Sequence, residues 1–312
     1  MTETTNTEFT HYSVMLKESV EGLAIKSDGI YIDCTFGRGG HSREILGHLS
    51  SGNLMAIDQD PEAIEFAKQH FAESNFEIQY GSFEQLKEYC DSRGWTGKVD
   101  GVLIDLGVSS PQLDDASRGF SFMREGPLDM RMNPESGLSA KEWLAEVDEK
   151  TLAQVLRQYG EERFSGRIAR NIKEAAQAGQ LETTLDLAEL VKKASPKTEK
   201  NKHPATRTFQ AIRIAVNREL DVLKNVLEAA VQVLGSGGRL SIISFHSLED
   251  RIVKQFIRDQ SQMKDLFPDS PIQLEVVEPV LKKVGKPIFP SDEECRENPR
   301  SRSAVLRIAQ KI

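Results

Sequence analysis

Residues 30–42 read IYIDCTFGRGGHS, and the fold turns on how that stretch is parsed. Ile30, Tyr31 and Ile32 make a short apolar run closed by Asp33, the pattern of a buried strand. Gly37, Gly39 and Gly40 then supply a turn whose backbone can take positive φ and approach a ligand closely. From Ser42 the pattern becomes helical. Residues 54–57 (LMAI) read as a second strand ending at Asp58, and Asp60-Pro61 opens a helix: Asp60 caps it and Pro61 suits its first turn. Ile64, Ala67 and Phe71 follow at helical spacing. Residues 76–80 form a third strand. Residues 99–106 form a fourth, almost continuously apolar, as in a strand covered on both faces. Strand and helix in alternation predict a parallel α/β sheet with right-handed crossovers.

The alternation then stops. Residues 111–134 read as a long loop rich in Gly, Asp, Arg and Phe, and loops of that length are usually functional or disordered. Residues 139–194 read as several helices, with a capping box at Ser139 and Glu142 and an apolar stripe at Leu144, Val147, Leu152, Val155 and Leu156. Pro204 opens a long helix through Phe209, Ile212, Val216, Leu220, Leu223, Leu227, Ala230 and Leu234, ended by four residues, Gly235, Ser236, Gly237 and Gly238. Residues 240–245 resume the sheet, and late strands are expected near 274–277 and 304–308. The expected organisation is a discontinuous sheet domain, 1–111 and 205–312, interrupted by a loop and helical domain at 112–204.

The chain has 312 residues, 38% hydrophobic and 28% charged, enough for a well-buried core. No apolar run approaches a membrane span. Residues 1–10 are polar and lack the basic and apolar regions of a signal peptide, so a loose leader and a cytoplasmic location are expected. Cys34, Cys90 and Cys295 are scattered without a CxxC pair, which speaks against structural zinc and fits a reducing compartment. A net charge of −8 argues against general nucleic-acid binding. The charge is uneven, however: Lys192, Lys193, Lys197, Lys200, Lys202, Arg207 and Arg213 face only Glu199, and Arg296, Arg300, Arg302, Arg307 and Lys311 face only Glu297. Such runs are either solvated faces or contacts for a targeted anionic partner.

Asp33, the glycine turn and Asp58 make a candidate cofactor site. Ligands of open α/β sheets bind at the carboxyl ends of strands beside the switch point, and an acid ending the second strand commonly accepts from ribose hydroxyls. Ser42 replaces the third glycine of a dinucleotide fingerprint, and Asp33 suits a cationic amino-acid moiety better than a pyrophosphate; both lean toward a sulfonium methyl donor over NAD. Phe83, after the third strand, either packs on an adenine face or belongs to the core. Asp105 ends a buried strand, where an acid without a task is costly.

Longer motifs now become specific: DCTFGRGGHS at 33–42, DLGVSSPQLD at 105–114, RGFSF at 118–122, GPLDMRM at 126–132 and YGEERF at 159–164. HPATRTFQAIR at 203–213, GGRLSIISFHSLEDR at 237–251 and NPRSRSAVLRI at 298–308 continue the series. Together, and in this order, they resemble the bacterial 16S rRNA (cytosine-N4)-methyltransferases, the RsmH or MraW family. The resemblance implies a Rossmann-like class I S-adenosylmethionine methyltransferase domain with an inserted all-helical domain. It implies a donor held by Gly39, Gly40, His41, Asp58, Phe83, Asp105 and Gln112, with Asp33 and Gly37 added from the residue reading above. It implies as target the exocyclic N4 of a decoding-centre cytidine on the 30S subunit, with no metal. A homodimer is compatible with the sequence.

The sulfonium methyl is already activated, so the difficulty lies in a cytosine amine whose lone pair is delocalised. That amine must be held in line and its proton accepted. Many amino-methyltransferases carry an Asp/Asn/Ser-Pro-Pro-aromatic segment after the fourth strand; this chain departs from it, with Asp105, then Ser109, Ser110, Pro111 and Gln112. Asp105, Ser109 and His246 are the candidate catalytic groups, His246 having a structural hydrogen bond as its alternative role. Phe120 and Phe122 either stack on an extruded base or anchor their loop. Arg118, Arg124 and Arg131 are candidates for positioning phosphates. Competing readings are a nicotinamide oxidoreductase, a methyltransferase acting on DNA, protein or a small molecule, and a non-catalytic ribosome-assembly factor.

Overall fold

A computed structural model describes residues 13–195, 203–265 and 276–312. The expected leader, Lys197, Lys200, Lys202 and the beginning of the expected strand at 274–277 lie outside the described residues. The chain divides into two compact units: residues 1–106 with 224–312, and residues 107–223.

The first unit opens with α1 (Leu16–Gly22), β1 (Ile30–Asp33), α2 (Gly40–His48), β2 (Asn53–Asp58), α3 (Pro61–His70), β3 (Phe76–Tyr80), α4 (Leu86–Ser92) and β4 (Val99–Asp105). The helical unit holds α5 (Ser110–Asp114), α6 (Ala140–Glu146), α7 (Glu149–Tyr159), α8 (Ser165–Gln177), α9 (Thr184–Ala194) and α10 (Ala205–Val216). Then come α11 (Glu219–Val233), β5 (Leu234–Ser244), α12 (Ser247–Gln260), the short pair β6 (Lys264–Asp265) and β7 (Val276–Val277), β8 (Leu281–Ile288), α13 (Asp292–Glu297) and β9 (Val305–Lys311).

Seven strands form one sheet in the order β3-β2-β1-β4-β5-β9-β8. β1 to β5 are parallel, and β9 runs antiparallel to both neighbours. The chain enters at β1, winds outward to β3, then returns across to β4. The carboxyl ends of β1 and β4 therefore flank the switch point, where a ligand crevice opens. This is the expected Rossmann-like class I methyltransferase arrangement. Tyr31, Leu54 and Leu103 pack with Ile45 of α2 and Val20 of α1, while Phe36 joins Ala56, Ala67 and Phe71. Each such aliphatic or aromatic side chain contributes about 1.5–3 kcal/mol. Among the described residues, no helix is long and apolar enough to cross a membrane.

The helical unit has its own core, in which Leu144, Leu152, Leu156, Ile168, Ile172 and Leu187 meet Phe209 and Ile212 of α10. That packing is why the division falls at 106/107 and 223/224 rather than at the expected 111/112 and 204/205. The long helix expected from Pro204 is two helices. Asn217 leaves the helical path to accept from Met132 N–H and donate to Met130 O (both 2.8 Å), and Arg218 takes φ 51. The glycines at 235–238 do not precede the strand but lie within β5 as a bulge. A Cβ on Gly238 would stand 2.7 Å from Val99 O, so only glycine permits this approach. β7 pairs with β6 outside the main sheet, and the strand that flanks β9 is β8, an exposed edge carrying Lys282, Lys283 and Lys286.

Candidate active site

Asp33 is fully buried beneath the turn that follows β1. One carboxylate oxygen accepts from Ser42 Oγ–H (2.6 Å) and the other from Thr35 N–H (3.1 Å). The main chain of the turn is stitched to both neighbouring strands, with Cys34 N–H donating to Leu103 O and Phe36 N–H to Ile57 O. Thr35 Oγ1 accepts from Asp105 N–H at 2.7 Å. Gly37 (φ 56) donates its N–H to Asp58 Oδ2 at 2.8 Å, and Asp58 Oδ1 accepts from Asp60 N–H at 2.9 Å. Gly39, at φ 73, ends the turn and begins α2. A Cβ there would lie 2.4 Å from the Phe71 ring and 2.6 Å from the Phe36 ring; on Gly40 it would strike Ser13 Oγ. Gly39 is thus required both by conformation and by space, and Gly37 by its positive φ. Asp33 shapes the turn that it holds through both carboxylate oxygens.

The carboxyl ends of β1, β2 and β4 gather acids in little solvent. Burial, with Asp60 and Asp33 adding repulsion, lifts Asp58 to about 6 against the pull of its two backbone N–H donors. Burial, then the charges of Asp33 and Glu249, hold Asp105 well above the usual carboxylate range. His41 is buried, which lowers its proton affinity. Its Nε2 lies 3.2 Å from Val14 O, placing the ring proton there, so that Nδ1 faces Asp105 Oδ2 at 3.8 Å. Asp105 Oδ1 is buried and has no hydrogen-bond partner among the described residues. An acceptor in that condition costs stability unless something else supplies the donor.

Phe83 is half-buried at the first position of a short turn of helix capped by Ser82, just past β3, with Gly81 N–H donating to Asp58 O. His246 caps α12. Its Nδ1 accepts from Glu249 N–H (3.4 Å), while Glu249 Oε2 accepts from Phe245 N–H and His246 N–H. The neutral ring therefore carries its proton on Nε2, which lies 3.1 Å from Glu249 Oε1 but makes no hydrogen bond among the described residues. Asp33, Gly37, Gly39, Gly40, His41, Asp58 and Asp105 thus meet around one turn. Ser109 and Gln112 belong to the helical unit, where they close the capping box of α5 and Gln112 is buried.

Glu249, at 2% exposure, was not singled out in the sequence, nor was Thr35, and Ser42 stood out only as a missing glycine. The HSLE spacing at 246–249 is a capping-box signal with an unusual His at its head. Of the loop arginines, Arg118 is buried and donates to the carbonyls of Arg131 and Met132, and Arg131 pairs with Asp129 at 2.6 Å. Both hold the loop; Arg124 is the exposed member of the three. Phe120 is buried as a loop anchor. In the terminal basic cluster, Arg307 is engaged by Asp250 and Lys311 by Val231 O.

The sequence profile of the MraW methylase family matches residues 8–312. A protein of Hydrogenovibrio crunogenus named ribosomal RNA small subunit methyltransferase H is 78% identical over 303 residues, 97% of this chain and 96% of its own length. The protein of that name from Legionella pneumophila (strain Paris) is 58% identical, over 97% of this chain and 99% of its own. That from Shewanella baltica is 54% identical over 98% of each.

Proposed function

The chain belongs to the MraW methylase family, and from that premise we propose that it transfers a methyl group from S-adenosylmethionine to the 16S rRNA of the small ribosomal subunit. The finer reading is that the acceptor is the exocyclic N4 of a decoding-centre cytidine. The names of the relatives support the RNA class. The observation that carries the donor assignment is the placement of Asp58 and Asp105 on either side of a glycine turn, with Asp105 Oδ1 left without a partner among the described residues.

The residues present fit the donor. When bound, S-adenosylmethionine supplies a methyl group already activated on a cationic sulfur. Asp58, anchored by Gly37 and Asp60, is set to accept from ribose hydroxyls. Gly39 and Gly40 leave the main chain bare, and Phe83 offers a half-buried ring at the next strand end. Asp105 serves the chemistry. Its raised proton affinity suits it to take the proton that an amine releases on methylation, and the sulfonium charge favours its ionised form. His246 presents a donor at Nε2 rather than an acceptor, which makes Asp105 the better base and His246 a group for orienting the substrate. The helical unit, residues 107–223, is the RNA-recognising part of this reading. Ser109, capping α5, helps shape the chain leaving β4.

The test is transfer of labelled methyl from S-adenosylmethionine to 30S particles, naked 16S rRNA, DNA and protein, followed by nucleoside mapping of the product. Label in N4-methylcytidine of 16S rRNA is expected. Label confined to DNA or protein overturns the target, and no transfer to any acceptor overturns the activity.

A further inference from the structure

We propose that the imidazole of His203, backed by Phe122, is a stacking platform for an unpaired base of the RNA substrate. This role rests on the RNA reading above and deepens it.

Three aromatic rings of the helical unit form a ladder running from the core to the solvent. Phe209 of α10 is buried in the helical core at 4% exposure. Phe122, in the loop after α5, packs edge-on to it, with centroids 4.9 Å apart at 70°. His203 lies over Phe122 at 4.6 Å and 30°, and is itself exposed. The imidazole is not loose. Pro204 restricts His203 to extended backbone, and His203 Nδ1 accepts from Ala205 N–H at 3.2 Å at the head of α10. A cap alone asks for nothing larger than Ser, Asp or Asn. Here the accepting group, on the residue before the Pro204 N-cap, is a ring whose inner side rests on another ring and which remains open to solvent.

Its surroundings favour a nucleotide. Arg207 and Arg218 lie on the stretch from His203 to Arg218, which has no acidic residue, while Arg213 is held by Glu219 at 2.7 Å; Lys192 and Lys193 stand exposed in the last turn of α9. Met123, beside Phe122, is 82% exposed, an apolar neighbour suited to a base face. An aromatic face held rigid before binding loses little entropy when a base stacks on it, and stacking tolerates any base provided it is unpaired. Phe122 lies in the RGFSF motif and His203 in the HPATR motif, so one ladder joins two segments far apart in sequence.

The experiment measures binding of the full-length protein to a single-stranded RNA oligonucleotide by fluorescence anisotropy. Two variants separate the ring from the cap: His203→Asn keeps a capping acceptor without the ring, and His203→Phe keeps the ring without the acceptor. Expected is a loss of about tenfold in affinity for His203→Asn and near-parental binding for His203→Phe. Abasic nucleotides in the oligonucleotide should weaken the parent by the same factor and His203→Asn no further. Normal binding by His203→Asn, or equal losses in the two variants, overturns the platform. If the parent still methylates rRNA in that case, the proposed function stands and the platform alone falls. If the parent neither binds nor methylates RNA, both fall.

Discussion

In the sheet unit the polar contacts that matter reach across the chain, Gly37 to Asp58 and Asp105 to Thr35, and they converge on half-buried acids. In the helical unit the helix caps are local, beside a few longer ties such as Asn217 to Met130 and Met132. Ser109 with Gln112, Ser139 with Glu142 and Thr183 with Asp186 close capping boxes, and Asp148 caps α7 through Thr151 N–H. Local caps stabilise the helices that carry them, each contributing about 1 kcal/mol. The strand-end acids do the opposite: burial and mutual repulsion lift Asp58 and Asp105, which opposes folding in the ionised state. Stability is gained where the chain is helical and given up where three strand ends meet, and the second region is where function is expected.

The largest effect that would break this contrast is at Asp105. Asp105→Asn keeps an acceptor but removes a charge repelled by Asp33 and Glu249. Methyl transfer should fall by about 10²–10³-fold while the thermal midpoint holds or rises, checked by single-turnover kinetics and calorimetry. A variant that is destabilised yet active would reverse the roles. Next comes Asp33, buried but with both oxygens engaged. Asp33→Ala should cost about 2–4 kcal/mol in urea unfolding and disorder the glycine turn, because two donors lose a charged acceptor. Unchanged stability would mean the turn is held by its main chain alone.

A smaller effect sharpens the comparison through pH. Asp58 releases its proton near pH 6 when folded, against its ordinary 3.8, so the folded chain holds the extra proton between those values. Its contribution to stability therefore declines as pH rises through that window. Donor affinity runs the other way, since hydroxyls need the ionised acceptor. From pH 7 to pH 5 it should weaken by about tenfold, and Asp58→Asn should flatten that dependence. Smallest is the helical control: Ser139→Ala should lower stability by about 1 kcal/mol and leave donor affinity untouched. A change in donor affinity there would couple what the contrast keeps apart.

The same difference governs what could be read from sequence. The first four strands, α2 and α3 were legible because apolar runs, Asp60-Pro61 and the glycine turn are local signals. The helices after Ser139 announced themselves by caps and stripes. The break at Asn217 was not legible: the apolar spacing continues through it, and its cause is a tie to Met130 and Met132. β8 was hidden because an edge strand that is mostly exposed, with Lys282, Lys283 and Lys286, has neither an apolar run nor a clean alternation to reveal it. In the site, Asp58 and Asp105 stood out as acids closing strands. Thr35 and Glu249 did not, since each acts through a partner that only the fold brings near, and Ser42 stood out as a missing glycine rather than as the hydroxyl that holds Asp33. The capping role of His246 depended on Glu249 in the same way.

Isothermal titration of the protein with S-adenosylmethionine is the most direct test of the strand-end pocket. The account predicts one saturable site per chain, and loss of most of the heat in Asp58→Asn with the fold intact. A featureless titration of folded parent protein, or a site indifferent to Asp58→Asn, would contradict it.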